Sequence, residues 1–277
     1  MTPEQSQVPV PKDALDWFRA KGMKPSFDHR DVWQEEHATT WTVAKAMRLD
    51  ILEAIRSAVD EMVEAGQDFG TFKRELQPLL VKLGWWGVSN IVDPLTGEKR
   101  DVQLGSPRRL RTIYDINLRT ANAAGQWQRI ERTKKTHPYL LYQLGPSQHH
   151  REQHLGWAGI LLPADDPFWQ THFPPNGWGC KCWVRQVSRR EAERLLATGD
   201  YLDRAPTSEE MEYINRRTGQ VLKVPAGIDP GWAYNPGAVS RPEQAQQQLA
   251  EKEKASVILA ESEKPEKSRR RDDSESG

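Results

Sequence analysis

Apolar side chains recur at steps of three or four residues in three stretches of the first half of the chain. This spacing places them on one face of an amphipathic helix. The residues of the first stretch are Ile51, Leu52, Ile55, Val59, Met62 and Val63. Gly66 is predicted to end this helix, because glycine readily takes the left-handed conformation that closes helices.

The second stretch predicts a shorter helix. Its apolar residues are Phe72, Leu76, Leu79, Leu80 and Leu83. Pro78 lies among them and must kink or divide the helix, because proline lacks an amide donor. Gly84 is predicted to end it.

The third helical stretch follows a turn-rich segment, 88–106, which we expect to be a surface loop or a hairpin. Its apolar residues are Leu110, Ile113, Leu118, Ala121, Ala124 and Ile130. The helix must stop before Pro138. Gly125 costs this helix stability, which predicts that a neighbouring element packs closely there.

From Tyr139 onward the pattern changes to short strands and loops. Segments 139–144 and 182–187 are predicted strands, and 188–199 is a short helix with Ser188 as its cap and Gly199 as its end. Segment 218–237 reads as a series of turns. The predicted fold class is α+β, a helical N-terminal region followed by a small irregular α+β domain with short strands.

The composition divides the chain into four segments. These are an N-terminal extension (1–27), a helical region (28–138), a compact α+β domain (139–237) and a polar, partly disordered tail (238–277). The tail is too rich in charged residues to bury enough apolar surface to order itself.

Charge and hydropathy narrow the range of protein classes to which this chain could belong. The 39 lysines and arginines balance 39 aspartates and glutamates, so the total charge favours neither nucleic acid nor a membrane surface as partner. The chain has no apolar run of about 20 residues and no secretion signal, so we expect it to fold in a cytosol. There its two cysteines would be free thiols or metal ligands.

These two cysteines, Cys180 and Cys182, are candidate zinc ligands. Zinc sites combine thiolates with imidazoles, but they usually take two residues between paired cysteines. Residues two apart in a strand point to opposite faces, so both thiols reach one ion only if Gly177 and Gly179 allow a sharp turn. Alternatively, both are small buried hydrophobic residues.

Nearby histidines could complete a structural zinc site. His150 and His154 lie four residues apart, and His154 is the better candidate because Gly156 follows it with a predicted turn. His172 or Asp166 could supply a fourth ligand. Otherwise, these histidines are simply exposed polar residues.

A second hypothesis is a zinc-dependent hydrolase or deaminase-like enzyme. Here Glu152 would move protons beside a metal held by His154, Cys180 and Cys182. The pattern fits this poorly, because zinc deaminases carry two residues between the cysteines and metalloproteases place Glu directly after the first His. We therefore expect no catalytic residues.

Four tryptophans of this part have a simpler interpretation as core residues, since each indole can bury about 150–250 Å². They are Trp157, Trp169, Trp178 and Trp183. Asp166 and Pro167 are typical of a capped turn entering a short helix. An assembly interface is the alternative for any exposed tryptophan.

The third helix and its end are strongly basic. Segment 108–135 carries eight arginines and lysines against Asp115 and Glu131. Such a surface could make weak contact with DNA or with an acidic protein face. More often a charge run is a solvated helix face.

Three long motifs, in this order and at these separations, closely resemble the phage Mu F-like head morphogenesis proteins, the SPP1-type minor head proteins. They are TIYDINLRTANAAGQW (112–127), the segment from REQHLGW to CKCWV (151–184) and GIDPGWAYNPG (227–237). The segments 27–45 and 83–87 also match, so the resemblance covers about residues 27–237.

The resemblance implies a structural role in virion assembly, with contacts to portal, capsid or scaffold proteins. Such proteins act at or near the portal, in the host cytoplasm during assembly and afterwards in the virion. Family motif positions fall on Arg151, His154, Asp166, Trp169, Pro175, Gly177, Trp178, Cys180 and Cys182. Gln148, His149 and His150 depart from the family pattern, so no role is carried over to them.

Overall fold

The computed structural model describes residues 11–239 as one unit with helices and short strands. In chain order its elements are α1 (Lys12–Arg19), β1 (Gly22–Met23), α2 (Glu36–Thr39), β2 (Thr40–Trp41), α3 (Leu49–Ala65), α4 (Phe69–Lys82), β3 (Val88–Val92), β4 (Lys99–Gln103), α5 (Pro107–Thr133), β5 (Tyr139–Gln143), α6 (Glu152–Trp157), β6 (Leu161–Pro163), α7 (Phe168–His172), β7 (Trp183–Val187), α8 (Arg189–Leu196), β8 (Glu210–Ile214) and β9 (Val221–Pro225). The predicted α+β class is confirmed. Within the described part, the helices are too short or too polar to cross a membrane.

The three predicted helices of the N-terminal region are confirmed as α3, α4 and α5. All six predicted apolar residues of α3 are buried, and Gly66 closes the helix in the left-handed conformation at φ 62°. Pro78 lies inside α4, which stays a single helix. Leu79 was expected on the buried face, but its side chain is 42% exposed.

Helix α1 packs against the middle of α5. A Cβ atom at Gly125 would lie 2.7 Å from the backbone nitrogen of Ala14 and 3.0 Å from its Cα. The two helices can approach this closely only because Gly125 has no side chain. The close neighbour predicted at Gly125 is therefore confirmed.

Helix α5 lies between two hydrophobic clusters. Ala121 and Ala124 belong to the cluster built with α1, α3 and α4. Ala123 and Trp127, on other faces of α5, belong to the cluster that includes β5, α6 and α7. The division at residues 138 and 139 stays a prediction, and the proposed tail lies outside the described residues from position 240 onward.

The predicted strands 139–144 and 182–187 are present as β5 and β7. They form an antiparallel sheet in the order β6-β5-β7. Segment 88–106 is the hairpin β3–β4, one of the two predicted forms. Ser188 caps α8 by accepting a hydrogen bond from the amide of Glu191 at 3.3 Å.

A second hairpin was missed. Segment 218–237 was expected to contain only turns, but Val221–Pro225 is strand β9 and pairs antiparallel with β8. The prediction was wrong because β8 is exposed along most of its length and β9 is buried only at Val224 and Pro225, so the hairpin lacks the regular alternation of buried and polar residues that marks a half-buried strand.

The four tryptophans divide into two pairs. Trp157 and Trp169 are buried, as predicted for core residues. Trp178 and Trp183 are 47% and 44% exposed, so the core prediction is wrong for them. Trp178 lies in a turn, and Trp183 opens β7 with an exposed side chain.

Candidate metal centre

His154, Cys180 and Cys182 form one cluster. Their ligand atoms all lie within 4.8 Å of one another. His154 Nδ1 is 3.5 Å from the sulfur of Cys182 and 3.9 Å from that of Cys180. The structure thus brings together three of the four tentative metal ligands.

The predicted turn before β7 brings both thiols to one side. Gly179 takes the left-handed conformation at φ 71°, which is costly for residues with a side chain. The amide of Cys180 donates to the carbonyl of Gly177 at 3.1 Å and closes the turn. Arg119 of α5 donates to the Cys180 carbonyl at 2.7 Å, so a separate element supports this turn.

The imidazole of His154 is oriented by a backbone carbonyl. Nε2 lies 2.9 Å from the oxygen of Gly227. Since a carbonyl can only accept, neutral His154 carries its proton on Nε2, and the Nδ1 lone pair faces the thiols. Such a second hydrogen bond fixes the tautomer of many metal-binding histidines.

The pKa values of the two thiols shift in opposite directions. A hydrogen bond with Cys182 raises the pKa of Cys180, and burial adds to this shift. The same bond lowers the pKa of Cys182, helped by His154 and Tyr142. The pair therefore favours a thiolate on Cys182, and the thiolate is the form of cysteine that binds metals.

The other predicted ligands lie outside this cluster. His150 Nε2 is 2.9 Å from the Gly145 carbonyl. The Nδ1 of His172 is 2.8 Å from the hydroxyl of Thr171, and burial lowers the pKa of His172 to about 4. Asp166 accepts the amide of Phe168 at 2.9 Å, as expected for a capped turn.

Glu152, the acid of the enzyme hypothesis, is exposed in the first turn of α6. Among the described residues, Glu152 is not one of the candidate ligands of this cluster.

Asp229 is the site residue that sequence reasoning missed. Its Oδ2 accepts from Arg151 Nη2 and from the amide of Trp178, both at 2.7 Å. A Cβ atom at Gly177 would lie 2.3 Å from that oxygen. Asp229 thereby connects three motif positions, Arg151, Gly177 and Trp178. Its position within the 227–237 motif was the available signal.

Buried polar contacts hold the rest of the motif. The hydroxyl of Tyr142 in β5 donates to Asn176 Oδ1 at 3.0 Å, directly after the cis Pro174–Pro175 bond. Trp169 Nε1 donates to the Pro163 carbonyl at 2.9 Å, and Asn235 donates to the Trp169 carbonyl at 3.1 Å. These contacts join α7, the cysteine turn and the segment after β9.

Several cations of the basic segment 108–135 bind groups of this chain. Arg132 pairs with Asp13 at 2.8 Å, and Lys134 pairs with Asp165 at 2.7 Å. Together with Arg119, which donates to Cys180, they face α1 and the second half of the chain. The DNA contact stays a prediction, with fewer free cations to support it.

Comparison with known proteins identifies the class to which this α+β fold and its His/Cys/Cys cluster belong. Residues 53–185 match the family described as Phage Mu protein F like protein. The predicted resemblance is confirmed, and the chain belongs to the Mu F-like family.

The chain is also similar in sequence to two curated relatives. The chain is 37% identical over 241 residues to protein F of Escherichia phage Mu, provisionally named a capsid assembly protein, across 83% of this chain and 55% of that protein. It is 32% identical over 223 residues to the Mu-like prophage FluMu F protein of Haemophilus influenzae, across 75% and 53%. The chain thus spans about half the length of the curated relatives it matches. No solved structure matches it.

Proposed function

We propose that this chain is a phage minor head protein that acts in capsid assembly, as a structural component rather than an enzyme. The observation that carries this proposal is the 37% identity to a protein named for capsid assembly, over 83% of the chain. The proposal includes contacts with portal, capsid or scaffold proteins and a final location in the virion.

Trp178 and Trp183 are the proposed contact residues. Large exposed aromatic side chains are frequent anchors in protein interfaces, and these two are 47% and 44% exposed. They lie on either side of the cysteine turn. The cluster would then hold this turn in the shape that a partner recognises.

Co-purification with the portal protein tests this proposal. We expect tagged chain, expressed in cells that build procapsids, to retain portal or major capsid protein. Trp178→Ala combined with Trp183→Ala should lower recovery at least about tenfold, the effect of losing ~1.4 kcal/mol of binding free energy. Val81→Ala is the matched control, because Val81 is 52% exposed on α4. Folded chain that retains no head component would contradict the proposal.

We further propose that His154, Cys180 and Cys182 bind one Zn²⁺ ion that has a structural role. Two sulfurs and one imidazole are three of the four ligands of a tetrahedral zinc site, and their ligand atoms lie within 4.8 Å of one another. The ion would join α6 to the turn before β7. With free zinc at about 1,000 times its dissociation constant, binding only to the folded state contributes ~4 kcal/mol to stability.

Metal analysis after chelator-free purification tests the zinc proposal. We expect about one zinc per chain in the wild type and in His150→Ala, because His150 lies outside the cluster. Cys180→Ser and His154→Ala should lose the metal. Strong chelation should lower the melting temperature of the wild type. A metal-free wild type whose thiols both react with an alkylating reagent in the folded state would contradict the proposal.

A further inference from the structure

A pocket of about 750 Å³ lies between the N-terminal region and the segment after β9. This volume is typical of sites for small ligands. One face of α5 lines it with residues at helical spacing. These residues are Arg109, Thr112, Ile113, Ile116, Asn117 and Thr120.

Arg109 brings a positive charge that lacks a carboxylate partner among the described residues. Its guanidinium donates to the carbonyls of Gln103, Leu104 and Ala44 at 2.5–2.9 Å. Burial lowers the pKa of Arg109 to about 10, so the group is still charged at neutral pH. Three neutral acceptors and the Trp85 ring, whose centre lies 4.8 Å from the guanidinium carbon, fix its position without supplying a negative charge.

Lys45, in the loop between β2 and α3, adds a second cation to the pocket wall. Its backbone is held at φ 68°, a conformation that costs a non-glycine residue about 1–2 kcal/mol. Its amide donates to the Ser26 carbonyl and its carbonyl accepts from Trp85 Nε1, both at 2.8 Å. Backbone strain of this kind clusters at binding sites.

The ammonium of Lys45 lies 5.1 Å from the centre of the Phe27 ring. In the described part of the chain, it has no carboxylate at ion-pair distance. Burial lowers the pKa of Lys45. The negative charge of Asp28 partly opposes this shift, and the charges of Arg109, Arg100 and Arg217 add to it. Lys45 and Arg109 therefore disfavour each other, and an anion between them would relieve that repulsion.

The pocket wall also carries two acidic residues, of which Asp28 pairs with a cation and Asp101 only with a neutral amide. Asp28 accepts from the guanidinium of Arg30 at 2.7 Å and from its amide at 3.1 Å. Asp101 is exposed and accepts from Asn90 at 2.7 Å. Neither carboxylate neutralises Lys45 or Arg109 by direct contact.

Aromatic rings form another part of the wall. Trp33, Trp41 and Trp232 line the pocket and are buried. Trp178 is 47% exposed and meets the Trp232 ring edge-on at 5.3 Å. The pocket thus combines fixed positive charge with flat apolar surface.

We propose that this pocket binds a small organic anion with a flat aromatic body. Lys45 and Arg109 would hold the anionic group, and Trp178 with Trp232 would contact the ring. A phosphate or a carboxylate can supply the charge, as in a nucleoside monophosphate or an aromatic acid. This inference does not rest on the role in capsid assembly, although Trp178 takes part in both proposals.

Titration calorimetry with three probes tests the proposal: deoxyadenosine monophosphate, indole-3-acetate and inorganic phosphate. We expect at least one aromatic anion to bind the full chain more tightly than inorganic phosphate. Lys45→Met should weaken it about tenfold, because it removes one charge-assisted contact. Lys82→Met is the control, since Lys82 is exposed on α4 and outside the pocket.

Trp178→Ala provides a second variant that should fold, because the Trp178 side chain is half exposed. It should weaken the aromatic probe and leave phosphate binding unchanged. The proposal is overturned if the wild type binds no probe at millimolar concentration. Equal binding by the wild type and Lys45→Met, or no preference for an aromatic anion over phosphate, would also overturn it.

Discussion

At the scale of single residues, Asp229 organises the turn that contains the cysteines. Its carboxylate accepts from Arg151 and from the Trp178 amide at 2.7 Å. Its own amide donates to the Asn176 carbonyl at 3.0 Å. One residue therefore connects the segment after β9 to the motif 174–182.

Replacing Asp229 by Ala should lower the free energy of unfolding by ~1–3 kcal/mol, because two donors lose their acceptor. Asp203→Ala is the control, since Asp203 is exposed. Urea denaturation measures both variants. Equal stability of Asp229→Ala and the control would show that the turn holds without this carboxylate.

The cluster was predictable because cysteine and histidine carry a chemical signal in the sequence itself. The groups that orient the cluster leave a weaker signal in the sequence. Gly227 contributes a carbonyl, which every residue has, from 73 positions beyond His154. The sequence favoured His154 over His150 only through the glycine that follows it, and the structure places His154, not His150, with the two cysteines.

At the scale of elements, the crossing of α1 and α5 depends on Gly125. Gly125→Ala should destabilise the protein by ~1–3 kcal/mol, because the new methyl group meets the Ala14 backbone at 2.7 Å. Gly156→Ala should be neutral or stabilise by up to ~1 kcal/mol, because a Cβ there meets open space. Thermal melts of both variants compare the two sites directly. A stabilising Gly125→Ala would contradict the observed helix crossing.

Elements with one regularly buried face could be predicted from the sequence, and elements without such a face could not. Helix α3 repeats its buried residues at helical spacing, so its position and its end at Gly66 were predicted. Strand β8 exposes four of its five side chains, and β9 is buried only at its last two residues, Val224 and Pro225. Their pairing depends on backbone hydrogen bonds, which leave little trace in hydropathy.

At the scale of the whole molecule, one buried ion network joins distant parts of the chain. Arg217, in the turn between β8 and β9, binds Asp31 at 2.8 Å and Asp93 at 2.6 Å. Arg100 also binds Asp93, at 3.0 Å. The two hairpins and the segment before α2 are thereby held together.

This network should make stability fall in acid. Burial opposes ionisation of Asp93, but hydrogen bonds from Arg217 and the Leu95 amide lower its pKa below the ordinary value. Ionised Asp93 therefore contributes its full stabilisation to the folded protein above about pH 3.9, the pKa of Asp in the unfolded chain. This contribution is lost as the pH falls through the lower pKa of Asp93 in the folded protein. Asp93→Asn should be less stable at pH 7 and show a flatter decline below pH 4 than Asp203→Asn. Parallel acid limbs in urea denaturation would contradict this.

Head assembly in cells tests the central claim that this chain is a structural component of the capsid. The measurement is the number of complete heads, counted by electron microscopy, when the phage gene is deleted and supplied again as wild type or variant. We predict few complete heads without the chain, and wild-type numbers with Glu152→Gln. Normal head numbers without the chain, or a stable Glu152→Gln protein that fails to restore them, would contradict the account.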